Sequence, residues 1–304
     1  MSAGDRRLVL RGRELVARPG RPLLMGIVNA GPDSFSDAVR RTTLEGQLEH
    51  ARGLLAAGAD LIDVGAESGV TYTAASDPEV EAGRVVPLVR PLVAEGAVVS
   101  VDTWKPAVAE AALAEGAHLL NDVSGLRDAD LATVAARAGA GLVVMHTDAE
   151  PKQRAFPHYD GRVVEVVVER LRALVATALA AGVAPEGLLV DPGPDFAKTP
   201  GETVDALRGL AAVEAVGPPV LLALSNKHFL GAITGRRPDE RLAATLAAVA
   251  WAARTNAAVL RVHDVTAARD VLDVLAVLDG RAEVEEDAGE SDAMRWLRAG
   301  PDPA

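Results

Sequence analysis

The chain has 304 residues, a formal net charge of −12, 49% hydrophobic residues and no cysteine. That length suits one β/α barrel, a fold of about 250 residues with extensions, and the missing cysteines exclude disulfides, thiol catalysis and cysteine metal sites. The acidic balance argues against nonspecific nucleic-acid binding, which needs a basic field, but leaves room for an anionic small ligand held by a few local cations.

Arg6, Arg7, Arg11, Arg13 and Arg18 interrupt the start, so no signal peptide is read there. No apolar run approaches the ~20 residues of a membrane span, and the expectation is a cytoplasmic protein. Residues 8–18 read as two short strands around Gly12, a hairpin able to plug the amino-terminal end of a barrel.

Eight short apolar runs then alternate with eight helix-like segments. Leu23–Val28 runs into Asn29, Leu61-Ile62 into Asp63, Val98–Val101 into Asp102 and Leu119-Leu120 into Asn121. Leu142–Met145 ends at His146 and Leu188–Val190 at Asp191. Val220–Leu224 leads to Ser225, Asn226 and Lys227, and Val259–Val262 carries Arg261 and ends at His263-Asp264.

Apolar spacing predicts helices over 43–57, 79–94, 105–115, 129–138, 162–181, 202–215, 238–253 and 266–279. Gly58, Gly116, Gly139 and Gly182 sit where left-handed helix caps are expected. Continuous apolar strands alternating with helices imply a parallel sheet, and eight units favour a closed (β/α)8 TIM barrel over a doubly wound open sheet. In such a barrel the carboxyl ends of the strands build the active site.

Three connections on that face are long, at 29–43, 65–78 and 146–161. Long loops in compact domains are functional or mobile. The units end near residue 280, which predicts one domain over 1–280 and an acidic, flexible tail over 281–304, with Met294, Trp296 and Leu297 docking as a short helix.

Asp102, Asn121 and Asp191 would together suit a planar heterocycle rich in N–H donors, because carboxylates accept two hydrogen bonds and Asn both gives and accepts. Taken singly, each would more simply cap the following helix. Lys227 reads either as part of this ring or as a solvated loop lysine. Arg261 and His263, two residues apart on one strand, point the same way and form a candidate phosphate or pyrophosphate site; Arg261 could equally pair with Asp63 inside the barrel, and both could hold. Met145 and Phe196 could supply apolar faces or ordinary packing, and His146 could be structural. Histidine spacing suggests no zinc cage, while magnesium held by a ligand's pyrophosphate and one protein oxygen, such as Asn29, is compatible.

Five motifs in colinear order now carry a resemblance. They are Met-Gly-Ile-Val-Asn-Ala-Gly-Pro-Asp-Ser-Phe-Ser-Asp (25–37), Ser-Val-Asp-Thr (100–103), Asn-Asp-Val-Ser-Gly (121–125), Asp-Pro-Gly (191–193) with Phe196 and Lys198, and Arg-Val-His-Asp-Val (261–265). Over residues 8–280 the chain resembles the dihydropteroate synthase family. The resemblance implies an eight-fold β/α barrel that joins a pterin methyl pyrophosphate to para-aminobenzoate in folate biosynthesis, with Mg2+ accompanying the pyrophosphate. It makes Asp102, Asn121, Met145, Asp191, Phe196 and Lys227 the pterin pocket, and Asn29, Asp33, Arg261 and His263 the catalytic set, with Asn29 on the metal. It also implies a homodimer formed through helices near the barrel's far end.

The departures cluster. Gly31 replaces the Thr of the family's first loop; the second loop reads Ala66-Glu67-Ser68-Gly69-Val70-Thr71-Tyr72, so Gly69 and Val70 stand where Thr-Arg is usual. Asn226 and His228 flank Lys227 in place of Arg and Ser, and Asp195 precedes Phe196 in place of Gly. The pterin half is kept and the acceptor half has lost two arginines. Losing one charge-assisted contact to a carboxylate costs ~1.5–3 kcal/mol, roughly tenfold to a hundredfold in binding. The Asn-Lys and His-Thr variants resemble the divergent second dihydropteroate synthase paralogue of actinobacteria, whose members are doubtful or inactive as true synthases. Three readings follow: a synthase with a degraded acceptor site, a non-synthase paralogue binding a pterin-like or other anionic ligand, and, weakest, a barrel transferring a different group such as a folate methyl.

Overall fold

The computed structural model describes residues 4–31, 43–68, 74–153 and 155–284. Two antiparallel strands, β1 (Arg6–Leu10) and β2 (Arg13–Ala17), come first and pair Leu8 with Leu15. Their two-residue turn has positive φ at both Arg11 (49°) and Gly12 (78°), the conformation whose twist suits a tight hairpin.

Eight parallel strands follow: β3 (Leu23–Asn29), β4 (Leu61–Gly65), β5 (Val99–Asp102), β6 (Leu119–Asp122), β7 (Gly141–Met145), β8 (Leu188–Asp191), β9 (Val220–Ala223) and β10 (Ala257–Val262). They close in chain order, with β10 pairing both β9 and β3. The closed barrel replaces the open-sheet alternative.

The helices are α1 (Leu44–Ala56), α2 (Pro78–Ala94), α3 (Pro106–Ala114), α4 (Asp130–Ala138), α5 (Val163–Ala180), α6 (Pro200–Arg208), α7 (Leu210–Glu214), α8 (His228–Thr234), α9 (Leu242–Ala252) and α10 (Val265–Leu278). Several begin on side-chain caps: Thr43 accepts from Gly46 N–H, Asp264 from Ala267 N–H, and Thr199 and Glu202 form a reciprocal capping box. The four glycines expected to close helices all have positive φ. No helix among the described residues is long and apolar enough to cross a membrane.

Three expectations change in detail. The helix expected over 202–215 is two, α6 and α7, joined at Gly209, which lacks helix-forming propensity. The segment 238–253 starts as a 3-10 turn at Pro238–Glu240 before α9. The seven-residue α8, directly after Lys227, is too short to show a clear apolar period and was not expected. The expected tail helix with Met294, Trp296 and Leu297 lies outside the described residues.

Inside the barrel the side chains stack in layers. The lower layer is apolar: Leu23, Met25, Leu61, Val98, Leu119, Val143, Leu189, Leu221 and Val259 pack with Leu8, Leu10 and Ala17 of the hairpin. The hairpin therefore plugs the amino-terminal end. A second, larger core of helix and outward strand side chains surrounds the barrel. Leu10 is fully buried between plug and barrel, so Leu10→Ala is expected to cost about 2–5 kcal/mol, read as a lowered midpoint in urea unfolding.

Candidate active site

Strand residues alternate in and out, so two positions above the apolar layer come Asp63 on β4, Ser100 on β5, Asn121 on β6 and Arg261 on β10. Asp63 is fully buried. It does not end its strand, as the sequence suggested, because β4 continues to Gly65. Its Oδ2 accepts from Arg261 Nε at 2.6 Å and from Asn121 Nδ2 at 3.1 Å. Arg261 also donates through Nη2 to Asp102 Oδ2 at 2.9 Å. The interior ion pair weighed against a phosphate role is present, and it occupies two of the guanidinium's edges.

Among the described residues, Asp102 Oδ1 is buried without a partner. Burial pushes the Asp102 carboxyl up to about 7, opposed by Arg261 and reinforced by the nearby Asp63. Asp191, buried at the end of β8, is also raised by burial; its Oδ1 accepts from Gly193 N–H at 2.7 Å, and the charges of Lys227, Lys198 and Arg261 oppose the rise. Lys227 is lowered by burial and lies with Nζ 4.4 Å from the centre of the Phe196 ring, facing the charges of Asp195 and Asp191. Met145 is buried beside Asp191 on the neighbouring strand.

None of Asp102, Asn121 and Asp191 caps a helix: the N-caps of α3, α4 and α6 are Lys105, Ala129 and Thr199. Lys227 is not a solvated loop lysine.

His263 follows β10. Burial, with Arg261 and Lys227 near, lowers its imidazole to about 4, so it is neutral at pH 7 and not the second cation that its spacing from Arg261 suggested. The Ser225 hydroxyl lies 2.8 Å from Nδ1 and accepts the His263 backbone N–H. A hydroxyl that donates to Nδ1 leaves the ring hydrogen on Nε2, available to an anion.

Asn29 ends β3, and its carbonyl accepts from Gln47 Nε2. Among the described residues no three His, Cys, Asp or Glu side chains converge as a metal cage. Asp33, Gly69 and Val70 lie outside the described residues. Asn226 adopts a left-handed conformation (φ 58°), which asparagine tolerates better than most residues. Its side chain and backbone N–H bond to Thr245. Asp195, also left-handed (φ 64°), accepts from Phe229 N–H. At Gly31, an added Cβ would run into the carbonyl oxygen of Ala66, so these two residues approach backbone to backbone.

Sequence reasoning gave no role to two further groups. Lys198, almost wholly buried, places Nζ 2.8 Å from His146 Nδ1 and 3.0 Å from the carbonyls of Gly193 and Phe196. Burial lowers Lys198 to about 7 and His146 to about 2. This lysine holds the loop that presents Phe196. Lys105 Nζ bridges Glu67 at 2.5 Å and Glu81 at 2.6 Å, and Lys152 meets Glu67 at 3.1 Å. Burial would raise Glu67, but Lys105, Ser76 and Lys152 bring it down to about 2. The cluster ties the second loop to the connections after β5 and β7. Asp63 had one legible signal, a charge amid the apolar run Leu61–Val64; Lys198 appeared in a motif but its bond to His146 lies 52 residues away, and the Glu67 cluster had no signal because Lys105, Glu81 and Lys152 are distant from Glu67 in sequence.

A family profile described as a pterin binding enzyme matches residues 25–263. The dihydropteroate synthase of Mycobacterium leprae is 39% identical over 287 residues, covering 91% of this chain and 94% of that protein. A Mycobacterium tuberculosis protein called inactive dihydropteroate synthase 2 is 42% identical over 271 residues, 86% of this chain and 84% of its own length. The solved structure of Xanthomonas albilineans dihydropteroate synthase with 4-aminobenzoic acid is similar with a TM-score of 0.82 at 40% identity, covering 90% of this chain and 98% of that one.

His263 predicts a pH effect. Unfolded, its imidazole takes a proton near pH 6.5; folded, near pH 4. The unfolded state binds that proton first, so stability is retained above about pH 6.5 and falls as pH drops toward 4. His263→Gln is expected to reduce this slope in urea unfolding measured from pH 7 to pH 4, the remainder coming from His146, whose imidazole is also lowered by burial.

Proposed function

Because this chain belongs to the pterin-binding enzyme family that includes the dihydropteroate synthases, we propose that it binds 6-hydroxymethyl-7,8-dihydropterin pyrophosphate and condenses it with para-aminobenzoate through a weakened acceptor site. The observation that carries this reading is the convergence of Asp102, Asn121, Asp191 and Lys227 on one barrel mouth beside Arg261 and His263. Asp102 Oδ1, buried and unpartnered among the described residues, suits a ligand N–H, and a buried acceptor left unmade costs free energy.

In this reading Asp102, Asn121 and Asp191 hold the donor-rich edge of the pterin, with Met145 and Phe196 against its faces. Arg261 and the His263 Nε2–H donate to the pyrophosphate oxygens. Donors aimed at a departing anion lower the barrier to cleavage of the C–O bond, and the carboxylates favour the positive charge developing on the pterin methylene. The amine then attacks that carbon and loses its proton. Asn29 offers the single protein oxygen that suits magnesium held mainly by phosphate oxygens and water; the ion would neutralise pyrophosphate charge. Asp33 would act beside Asn29.

A second reading, a paralogue that keeps the pterin but does not condense it efficiently, is favoured by Asn226 and His228 at the acceptor side and by the similarity to a protein called inactive. The chain is read as cytoplasmic, with one barrel unit over 1–280 and an acidic tail over 281–304. It is also read as a homodimer: α9 is apolar on every side, and Leu242 and Trp251 on α9 stand exposed with Val274 and Leu278 on α10. A helix apolar all round is ordinarily buried, so its exposed residues suit cover by a second copy. Trp251→Glu is expected to convert a dimer to a monomer in sedimentation velocity; a wild-type monomer ends that reading.

Calorimetric titration with the pterin pyrophosphate and magnesium, followed by aminobenzoate and an assay of released pyrophosphate, tests the function. Binding with slow turnover is expected; no pterin binding overturns it. Val70→Arg with Asn226→Arg should raise aminobenzoate turnover, at about 1 kcal/mol of stability for placing Arg in a left-handed backbone. Unchanged turnover with pterin binding intact would sink the acceptor-loss argument.

A further inference from the structure

Arg241 precedes α9 and is 8% exposed. Its Nη1 donates to the carbonyls of Asn226 (2.9 Å) and Lys227 (3.2 Å), and its Nε to that of Arg236 (3.0 Å). Carbonyls satisfy N–H groups but carry no net charge. Among the described residues no carboxylate pairs with this guanidinium, which leaves room for an anion to join it.

Arg241 lines a cavity of about 390 Å³ shared with Phe196, Lys227, Asn226, His228 and Phe156. That volume lies within the range of sites for drug-sized ligands, large for a single benzoate ring. The two acids on its wall are already engaged with protein donors: Glu150 with the Gln153 side-chain amide, and Asp195 with Phe229 N–H. The cavity joins residues of the pterin side (Phe196, Lys227) to those of the altered acceptor side (Asn226, His228), and opens toward the connection after β7 through Phe156.

We propose that this cavity is the acceptor site of the chain and that it takes an arylamine whose anion is carried on an extension beyond the ring, with Arg241 as the anion's partner. This rests on the pterin-pyrophosphate reading above. The aryl ring lies against Phe196 and the extension reaches Arg241. The amine nitrogen bonds to the pterin methylene carbon, pyrophosphate leaves with the C–O electron pair, and the amine's proton passes to solvent. The substitution of Asn226 for arginine then moves anion recognition from the loop to Arg241 instead of abolishing it.

The test uses benzoylglutamate and benzoate, which lack the amine and cannot react, titrated calorimetrically into the full chain with and without the pterin pyrophosphate and magnesium. Benzoylglutamate is expected to bind at least tenfold more tightly than benzoate. Arg241→Gln should remove that preference, and Arg241→Lys should keep part of it. Ala155→Trp, a bulky ring on the cavity wall, should block benzoylglutamate and spare the pterin. Equal binding of the two probes overturns the proposal, as does an Arg241→Gln variant that weakens pterin and both probes alike, since Arg241 would then only position the Lys227 backbone. Arg241-dependent benzoylglutamate binding without any pterin binding would instead overturn the condensation reading and leave the anion site standing.

Discussion

A guanidinium inside a barrel must be met by carboxylates, and the pairing of Arg261 with Asp63 organises everything above it. Arg261 stands on the last strand and Asp63 on the second strand of the barrel, with β3 between them, so the 2.6 Å bond crosses the interior. Removing one member of such a buried pair strands the other charge, at about 3–5 kcal/mol. Through Oδ2 of Asp63 the same contact fixes Asn121, and through Nη2 of Arg261 it fixes Asp102. Three of the polar groups at the mouth are thereby oriented without a ligand. Binding is favoured when such ordering is complete beforehand.

The same pairing sets the electrostatics. Arg261 is shared between two acids, so it gives pyrophosphate little net positive charge while both are ionised. Burial raises Asp102 to about 7, which places its proton near the balance point at neutral pH. Under the proposed function a ligand N–H would meet Oδ1 of Asp102 while Arg261 keeps its bond to Oδ2. His263 adds a neutral N–H donor, because burial beside Arg261 and Lys227 disfavours its charged form.

The loops carry the divergence from the family, and the divergence is built into the backbone. Asn226 and Asp195 both occupy left-handed conformations, and each uses its short polar side chain for local bonds, to Thr245 and to Phe229 N–H. Gly31 allows its segment to lie against the Ala66 carbonyl. Reverting any one of these positions therefore disturbs a local protein contact. The buried Lys198 and the Lys105–Glu67–Glu81 cluster hold the neighbouring connections in place.

The β/α alternation, the plugging hairpin and the ring of polar residues at strand ends were legible in the sequence, because burial imposes apolar runs and local spacing reports it. The left-handed glycines after helices were legible for the same local reason. Which way each polar side chain is spent was decided only by the closed barrel. Closure brings Asp63 to Arg261 across 198 positions of sequence, and His146 to Lys198 across 52. It makes Arg261 a partner of two acids, disfavours the charged form of His263 and leaves Arg241 without an acid partner among the described residues. Those outcomes depend on desolvation and on partners far apart in the chain, and neither is written in local residue order.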